Sequence, residues 1–425
     1  MSSYSSTPSP KDGPDGSPDY EIIPRPALTF GFELEFGIVC LPQDYEDPNP
    51  EDSRQVYGIL EKDPPLSPRI PSLGLHEPYQ IGAEDDEWWH IQQHIASTLR
   101  KQGLLAFSDE DETQTDFDTE NSWIIKDDAS IKPPPLNYKF RDVELVSPPF
   151  YFSEKALNEV RVVCETLPSE YRLFTNTSCS IHVHVGNGTN GFTVSHLRKL
   201  MAILWAFEPQ FDSLHPHHRV GPTRYSGSLR EHSKLAIKLK ARGMTARDGL
   251  QRIYDTQDIN EIVDILDSPK LKPGIPFNQA YRLMNLVEEG TADSYEDFSE
   301  AEDSKKTIEF RHHEGTFDAE AVDQWIRLCV HLVEFAEEVR PDRLRAWLEE
   351  HIDTEFNVIQ ILEAIKLPLA ASYYEKKLAE RASLGPDRST RIAHPFAVEL
   401  LEESMVTDHI RQLSDLYCKR WDLYE

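Results

Sequence analysis

The run Phe30-Gly31-Phe32-Glu33-Leu34-Glu35-Phe36-Gly37, within Ala27 to Leu41, limits the folds open to this chain more than any other stretch. Leu28, Phe30, Phe32, Leu34, Phe36, Ile38 and Cys40 alternate with Thr29, Gly31, Glu33, Glu35 and Gly37, the period of two expected of a strand with one buried face. Glu33 and Glu35 therefore share a face, about 7 Å apart. Two carboxylates so placed repel each other and gain nothing from a core, so unless water screens them the arrangement calls for a cation. The flanking glycines leave open backbone around the pair, which suits close approach of a ligand. Taken alone, the stretch is better read as an ordinary amphipathic strand whose polar face looks at water.

Three later stretches repeat the design and change that judgement. Val143 and Leu145 oppose Glu144 in a strand that Pro148-Pro149 ends. Cys179, Ile181, Val183 and Val185 alternate with Ser180, His182, His184 and Gly186, so two imidazoles share a face. Ile308 and Phe310 oppose Glu309 and Arg311, and Gly315 closes that run. Four strands whose polar faces are limited to Glu and His, with one Arg, predict a shared site rather than four wet surfaces. Hard carboxylates with one or two imidazoles suit magnesium or manganese, the carboxylate excess making a catalytic zinc less natural. An arginine among them suits a phosphate oxygen.

The 425 residues allow one large or two ordinary domains. With 44 basic against 74 acidic residues, the net charge of -30 argues against nucleic acid or an anionic membrane as partner. An anionic substrate would need bound metal to enter. Five scattered cysteines (Cys40, Cys164, Cys179, Cys329, Cys418) predict reduced, mostly buried thiols rather than a disulfide framework. Lacking a signal peptide or long apolar run, the chain is expected to be soluble and cytoplasmic.

Residues 1–25, rich in Ser, Pro, Gly and Asp, are expected to be a disordered leader. The remainder, 26–425, reads as one domain with helical C-terminal parts and acidic insertions. Residues 228–275, charged and helical in part, and the acidic loop Asp293 to Lys306 read as insertions on a core, Pro42 to Gly82 as a Pro- and acid-rich excursion, and Ser108 to Glu120 as an acidic, solvated loop. Helical spacing predicts helices over Glu87 to Gly103, over Ser153 to Leu167 with Ser153 as cap, after a Ser195 cap, and over Ala319 to Val339. His215-Pro216-His217-His218-Arg219 reads as an exposed turn, because Pro216 and the lack of a fourth ligand disfavour a metal tract. No Gly-rich phosphate loop, His-Glu-x-x-His helix or nucleophile elbow occurs.

Phe-Glu-Leu-Glu-Phe at 32–36, Asp-Asp-Ala-Ser at 127–130, Val-Glu-Leu-Val-Ser-Pro at 143–148, His-Val-His-Val-Gly at 182–186, Tyr-Arg-Leu-Met-Asn at 281–285 and Ile-Glu-Phe-Arg-His-His-Glu-Gly-Thr at 308–316 resemble, in this order, the motifs of the amidoligase family. That family belongs to the carboxylate-amine ligase superfamily of glutamine synthetase and glutamate-cysteine ligase. The resemblance covers about residues 27–340. It implies an α+β fold of glutamine-synthetase-like type, a curved antiparallel sheet forming a partial barrel with helices packed on its outer face. It also implies an ATP-dependent ligase acting on small-molecule or peptide carboxylates and amines through an acyl phosphate. By position it makes Glu33, Glu35, Glu144, His182 and Glu309 ligands of Mg2+ or Mn2+. It gives Arg311 to the phosphate and the catalytic step, and draws Glu309, His184 and Asn285 to the nucleotide and Asp128 to catalysis. Ser180 departs mildly from the small or glycine residue common there. Two other readings stay open: a metal-dependent hydrolase on the same constellation, and a non-catalytic scaffold that kept the sheet.

Overall fold

The computed structural model describes residues 27–42, 45–59, 79–80, 87–109, 121–133, 138–220, 225–269, 278–287 and 305–383. The expected leader at 1–25, most of the acidic stretches 42–82, 108–120 and 293–306, the chain beyond 383 and Cys418 lie outside the described residues. The expected insertion at 228–275 is described up to 269 and puts Leu229, Leu235, Leu250 and Ile262 into the core. The fold is α+β. Its strands are β1 (Thr29–Pro42), β2 (Tyr57–Ile59), β3 (Tyr79–Gln80), β4 (Ala106–Ser108), β5 (Trp123–Lys126), β6 (Lys139–Val146), β7 (Phe150–Tyr151), β8 (Leu173–Phe174), β9 (Ser180–Gly186), β10 (Tyr281–Arg282) and β11 (Thr307–Glu314). Its helices are α1 (Glu87–Lys101), α2 (Glu154–Glu170), α3 (Val194–Asp212), α4 (Leu229–His232), α5 (Lys234–Ala241), α6 (Ala246–Tyr254), α7 (Ile259–Leu266), α8 (Ala319–Glu338), α9 (Pro341–His351), α10 (Val358–Ala364) and α11 (Pro368–Ser383).

The main path of the sheet runs β10-β11-β9-β1-β6-β5-β4, and β1 also carries β7 and β2 at its two ends and β8 at Gly37 and Ile38. The sheet is open. From β10 to β5 all neighbours are antiparallel, as expected, but β1 with β2, β2 with β3 and β4 with β5 pair in parallel, so the sheet is mixed. Parallel partners need a connection long enough to bring the chain back to the same end. Each of these pairs is separated by part of the 42–82 excursion or by the acidic loop at 108–120.

The alternation of β1 is realised without a slip. Phe30, Phe32, Leu34, Phe36, Ile38 and Cys40 are all buried and join a single apolar cluster with residues of α2, α3 and α8. Ser153 caps α2, its hydroxyl accepting from the Ala156 N–H at 3.3 Å. The cap of α3 is Thr193 rather than Ser195: Thr193 holds the extended backbone a cap requires and accepts from the His196 N–H at 3.2 Å, which leaves Ser195 in the first turn. Gly103 ends the stretch after α1 at φ +83, a conformation that glycine adopts at little cost.

Two departures concern β11. Its register against β9 shifts between Phe310 and His313, so that three steps along β11 match two along β9. This β-bulge turns His313 to the apolar side, opposite Ile181, and leaves Glu314 opposite Ser180. The turn expected to be exposed packs behind it. His215 and Arg219 are buried, and the His215 ring stacks on His312 at 5.0 Å and meets the edge of Trp325 at 4.7 Å. Aromatic surface on both strand and helix, invisible to local spacing, draws the turn in.

Phe310 is fully buried between Tyr281 and Trp325, so Phe310→Ala is expected to cost about 3–5 kcal/mol in urea unfolding. Burial pushes His313 and His232 down to about 4 from an ordinary 6.5. Each is depressed by folding, so its contribution is intact above about pH 6.5 and is lost as pH falls toward 4. Melting temperature should therefore drop steeply across that window, and His232→Gln should flatten the drop; a profile that is level from pH 7 to 4 would show these rings to be solvated.

Candidate active site

Register brings the four polar faces together. Glu33 lies opposite His182, Gly31 opposite His184, Glu35 opposite Glu144, and Glu309 opposite His184. Paired positions on one face sit within side-chain reach. The surface they make is buried rather than wet: Glu33, Glu35, His182, His184 and Glu309 are each less than a tenth exposed.

Glu33 is the hub. Its Oε2 accepts from His182 Nδ1 at 2.9 Å, and its Oε1 lies 3.0 Å from His184 Nε2. Burial alone would push its carboxyl up, but the charge of His184 and the hydrogen bond and charge of His182 outweigh it and hold the group well below the usual range. Glu144 lies in the reverse balance. Burial, reinforced by the nearby charge of Glu33, pushes it up to about 8 in spite of Lys126 Nζ at 2.7 Å. Glu309 is held down to about 2, because Arg311 and the two imidazoles outweigh its burial.

Two sets of three ligand atoms lie within 4.8 Å of one another: Glu33 with His184 and Glu309, and Glu33 with Glu144 and His182. Glu33 belongs to both. The orientation of His184 tests whether a cation fits. Its Nδ1 meets the Thr307 hydroxyl at 3.2 Å, and its Nε2 is buried near Glu33 without the alignment of a hydrogen bond. A buried imidazole nitrogen lacking a proton partner, among carboxylates that repel one another, is the donor set that a hard divalent ion satisfies. The hydroxyl of Thr307 fixes the ring from behind, as outer partners of metal-binding imidazoles do.

Glu35 adjoins both sets. Its Oε2 accepts from the Ser180 main-chain N–H at 2.8 Å and from the Ser180 hydroxyl at 2.6 Å, and that hydroxyl also meets His182 Nε2 at 2.8 Å. Gly315 packs beneath, where an added Cβ would lie 2.6 Å from the Cys179 Cβ and 3.1 Å from the Glu35 carbonyl oxygen. Arg311 donates through Nη1 to Glu309 and through Nε to the Tyr225 carbonyl at 3.4 Å, and Nη1 lies 3.4 Å from His182 Nδ1. Burial would lower its proton affinity, yet Glu309 and Glu35 raise it.

Two expected positions sit apart. Asn285 reaches the cluster indirectly, donating to the Thr307 hydroxyl at 3.4 Å. Asp128 occupies the turn after β5, where its carboxylate accepts from Ser130 N and Oγ at 2.8 and 2.9 Å and its own N–H donates to Asp142. The structure does not bring it into contact with the Glu and His cluster. Sequence reasoning passed over Ser180, Lys126 and Thr307 as participants. The alternation of β9 contained the signal for Ser180, on the same face as His182. Tyr225 contributes a carbonyl from a turn, which leaves no periodic trace.

A family model described as "Putative amidoligase enzyme" matches residues 26–333, a span that contains every residue of this cluster. No curated protein matches the chain. Among the described residues no helix is long and apolar enough to cross a membrane. The family match takes in well over half of the 425 residues, and the chain belongs to this family of ligase-type enzymes, the amidoligases.

Proposed function

We propose that the protein is an ATP-dependent carboxylate-amine ligase, with an open sheet of the glutamine-synthetase-like type. A carboxylate oxygen of the substrate attacks the γ-phosphorus of ATP and ADP departs. The amine nitrogen then attacks the acyl carbon, phosphate leaves with the C–O electron pair, and the nitrogen gives up a proton. The observation that carries this reading is one buried carboxylate, Glu33, shared by two acid-imidazole triads beside an arginine, Arg311, whose side chain is 11% exposed.

Such chemistry is mainly positioning and charge neutralisation. Magnesium or manganese held by Glu33, Glu35, Glu144, His182 and Glu309 would supply positive charge to phosphate oxygens. Ser180 and Thr307 hold Glu35 and His184 in place before any ligand arrives. Arg311, at present paired with Glu309, can exchange one carboxylate oxygen for a phosphoryl oxygen, an acceptor its planar fork fits equally well. His184 and Asn285, joined through Thr307, border the nucleotide, and Asp128 is assigned from its turn to the catalytic step. The burial of the cluster excludes water, which protects an acyl phosphate from hydrolysis.

Glu33→Gln, Glu35→Gln and Glu309→Gln are each expected to weaken nucleotide binding in magnesium by roughly tenfold or more, with little change in its absence. Calorimetry with and without the ion reads this directly, and unchanged affinity in all three variants would end the shared-site reading. The reaction itself has a signature. Given ATP, magnesium, hydroxylamine and a panel of amino and organic acids, the protein should form a hydroxamate and ADP in equal amounts, and Arg311→Ala should abolish both. AMP as product would mean adenylation, turnover without ATP a hydrolase, and no ATP binding a scaffold.

A further inference from the structure

Arg219 lies at the end of the buried turn behind β11, with 1% of its surface exposed. Among the described residues it has no ion-pair partner. Its guanidinium is bound to main-chain oxygens: Nη2 donates to the carbonyl of Arg311 and Nε to that of His312 at 3.4 Å. Both carbonyls belong to the bulge of β11. The segment that follows closes the grip. The Ser226 hydroxyl donates to the Arg219 carbonyl at 2.7 Å, Gly227 bonds to Asn278 and Ala280 at 2.8 and 2.9 Å, and Arg311 donates its N–H to Ala280 at 2.9 Å. The Tyr225 carbonyl, in the same segment, accepts from Arg311 Nε. Arg219 and residues 225–227 thus hold Arg311 by its backbone and by its side chain.

A buried cation that meets only neutral carbonyls is a costly way to fill a core, since an apolar side chain of like volume is often as stabilising or more so. Burial pushes this guanidinium down to about 10, against the attraction of Glu35 and Glu314. What an apolar residue lacks is a rigid fork able to take two successive carbonyls at once. A bulge removes ladder hydrogen bonds and leaves its extra residue free to swing. The clamp restores what the ladder lost.

We propose that Arg219 is a positioning residue for Arg311: by holding the carbonyls of Arg311 and His312 it fixes the height and direction at which the Arg311 guanidinium meets the γ-phosphoryl group. The inference rests on the ligase reading above. It requires Arg219 to act through Arg311 alone, and therefore on ATP and not on ADP.

Calorimetric titration of the full chain with ATP and with ADP, in magnesium, tests this in the wild type, Arg219→Gln, Arg219→Lys, Arg311→Ala and the Arg219→Gln/Arg311→Ala pair, with melting temperatures for each. The wild type should prefer ATP. Each Arg219 variant should lose roughly tenfold in that preference with ADP affinity within about twofold, and the double variant should bind ATP no more weakly than Arg311→Ala alone. The inference is overturned by additive losses in the double variant, by ATP and ADP weakening together, by equal wild-type affinity for both, or by failure of both Arg219 variants to fold. A wild-type protein that binds neither nucleotide overturns the ligase reading itself, and is recognised without any variant.

Discussion

Glu33 takes one imidazole on each carboxylate oxygen, His182 on Oε2 and His184 beside Oε1, in a place almost closed to water. Desolvation should make such a carboxylate shed its charge, and it keeps that charge because two rings converge on it. The convergence depends on β1 lying between β9 and β6, so that the residue opposite Glu33 is His182 and the one opposite Glu35 is Glu144. A slip of one residue in either pairing would send every one of these groups into the apolar layer. The core under α2, α3 and α8 therefore fixes the chemistry as firmly as the shape, since Phe32, Leu34 and Phe36 lock the register that aims Glu33 and Glu35.

The polar face also holds more negative charge than it can neutralise. Glu144 responds by tending to keep a proton, whereas Glu309 stays ionised beside Arg311. Groups of one kind in one small volume, driven in opposite directions, are a mark of sites built for function rather than for stability.

What was legible in the sequence followed from the length of each period. β1 and β9 alternate over seven residues or more, and β6 alternates in burial over its last four, so their faces, and with them Glu33, Glu35, Glu144, His182 and His184, could be assigned from spacing alone. β3, β7, β8 and β10 have two residues each and carry no period at all. The parallel edges depend on where long insertions return, which no local pattern records. Spacing also carries no sign of the bulge after Phe310, because an inserted residue looks like any other until its partner strand is known. His215 and Arg219 failed for a related reason: polar residues around a proline look wet unless the surface waiting for them is in view. Thr193 and Ser195 are both good caps by type, and only the backbone at 193 chose between them.

The pairing order has a consequence for how the site comes into being. The residues of the cluster stand near positions 33, 144, 182 and 309, and every contact between them spans a long separation in sequence, the kind of pairing that forms slowly. As the chain leaves the ribosome, β1 must wait for β6 and then for β9 to enter on its other side, and at that point Glu33, Glu144 and His182 can already meet. Glu309 and Arg311 emerge more than a hundred residues later, on the strand that docks last against β9. Synthesis therefore completes the half with Glu144 first and the arginine-bearing half afterwards, and a chain cut short before β11 would have the first without the second.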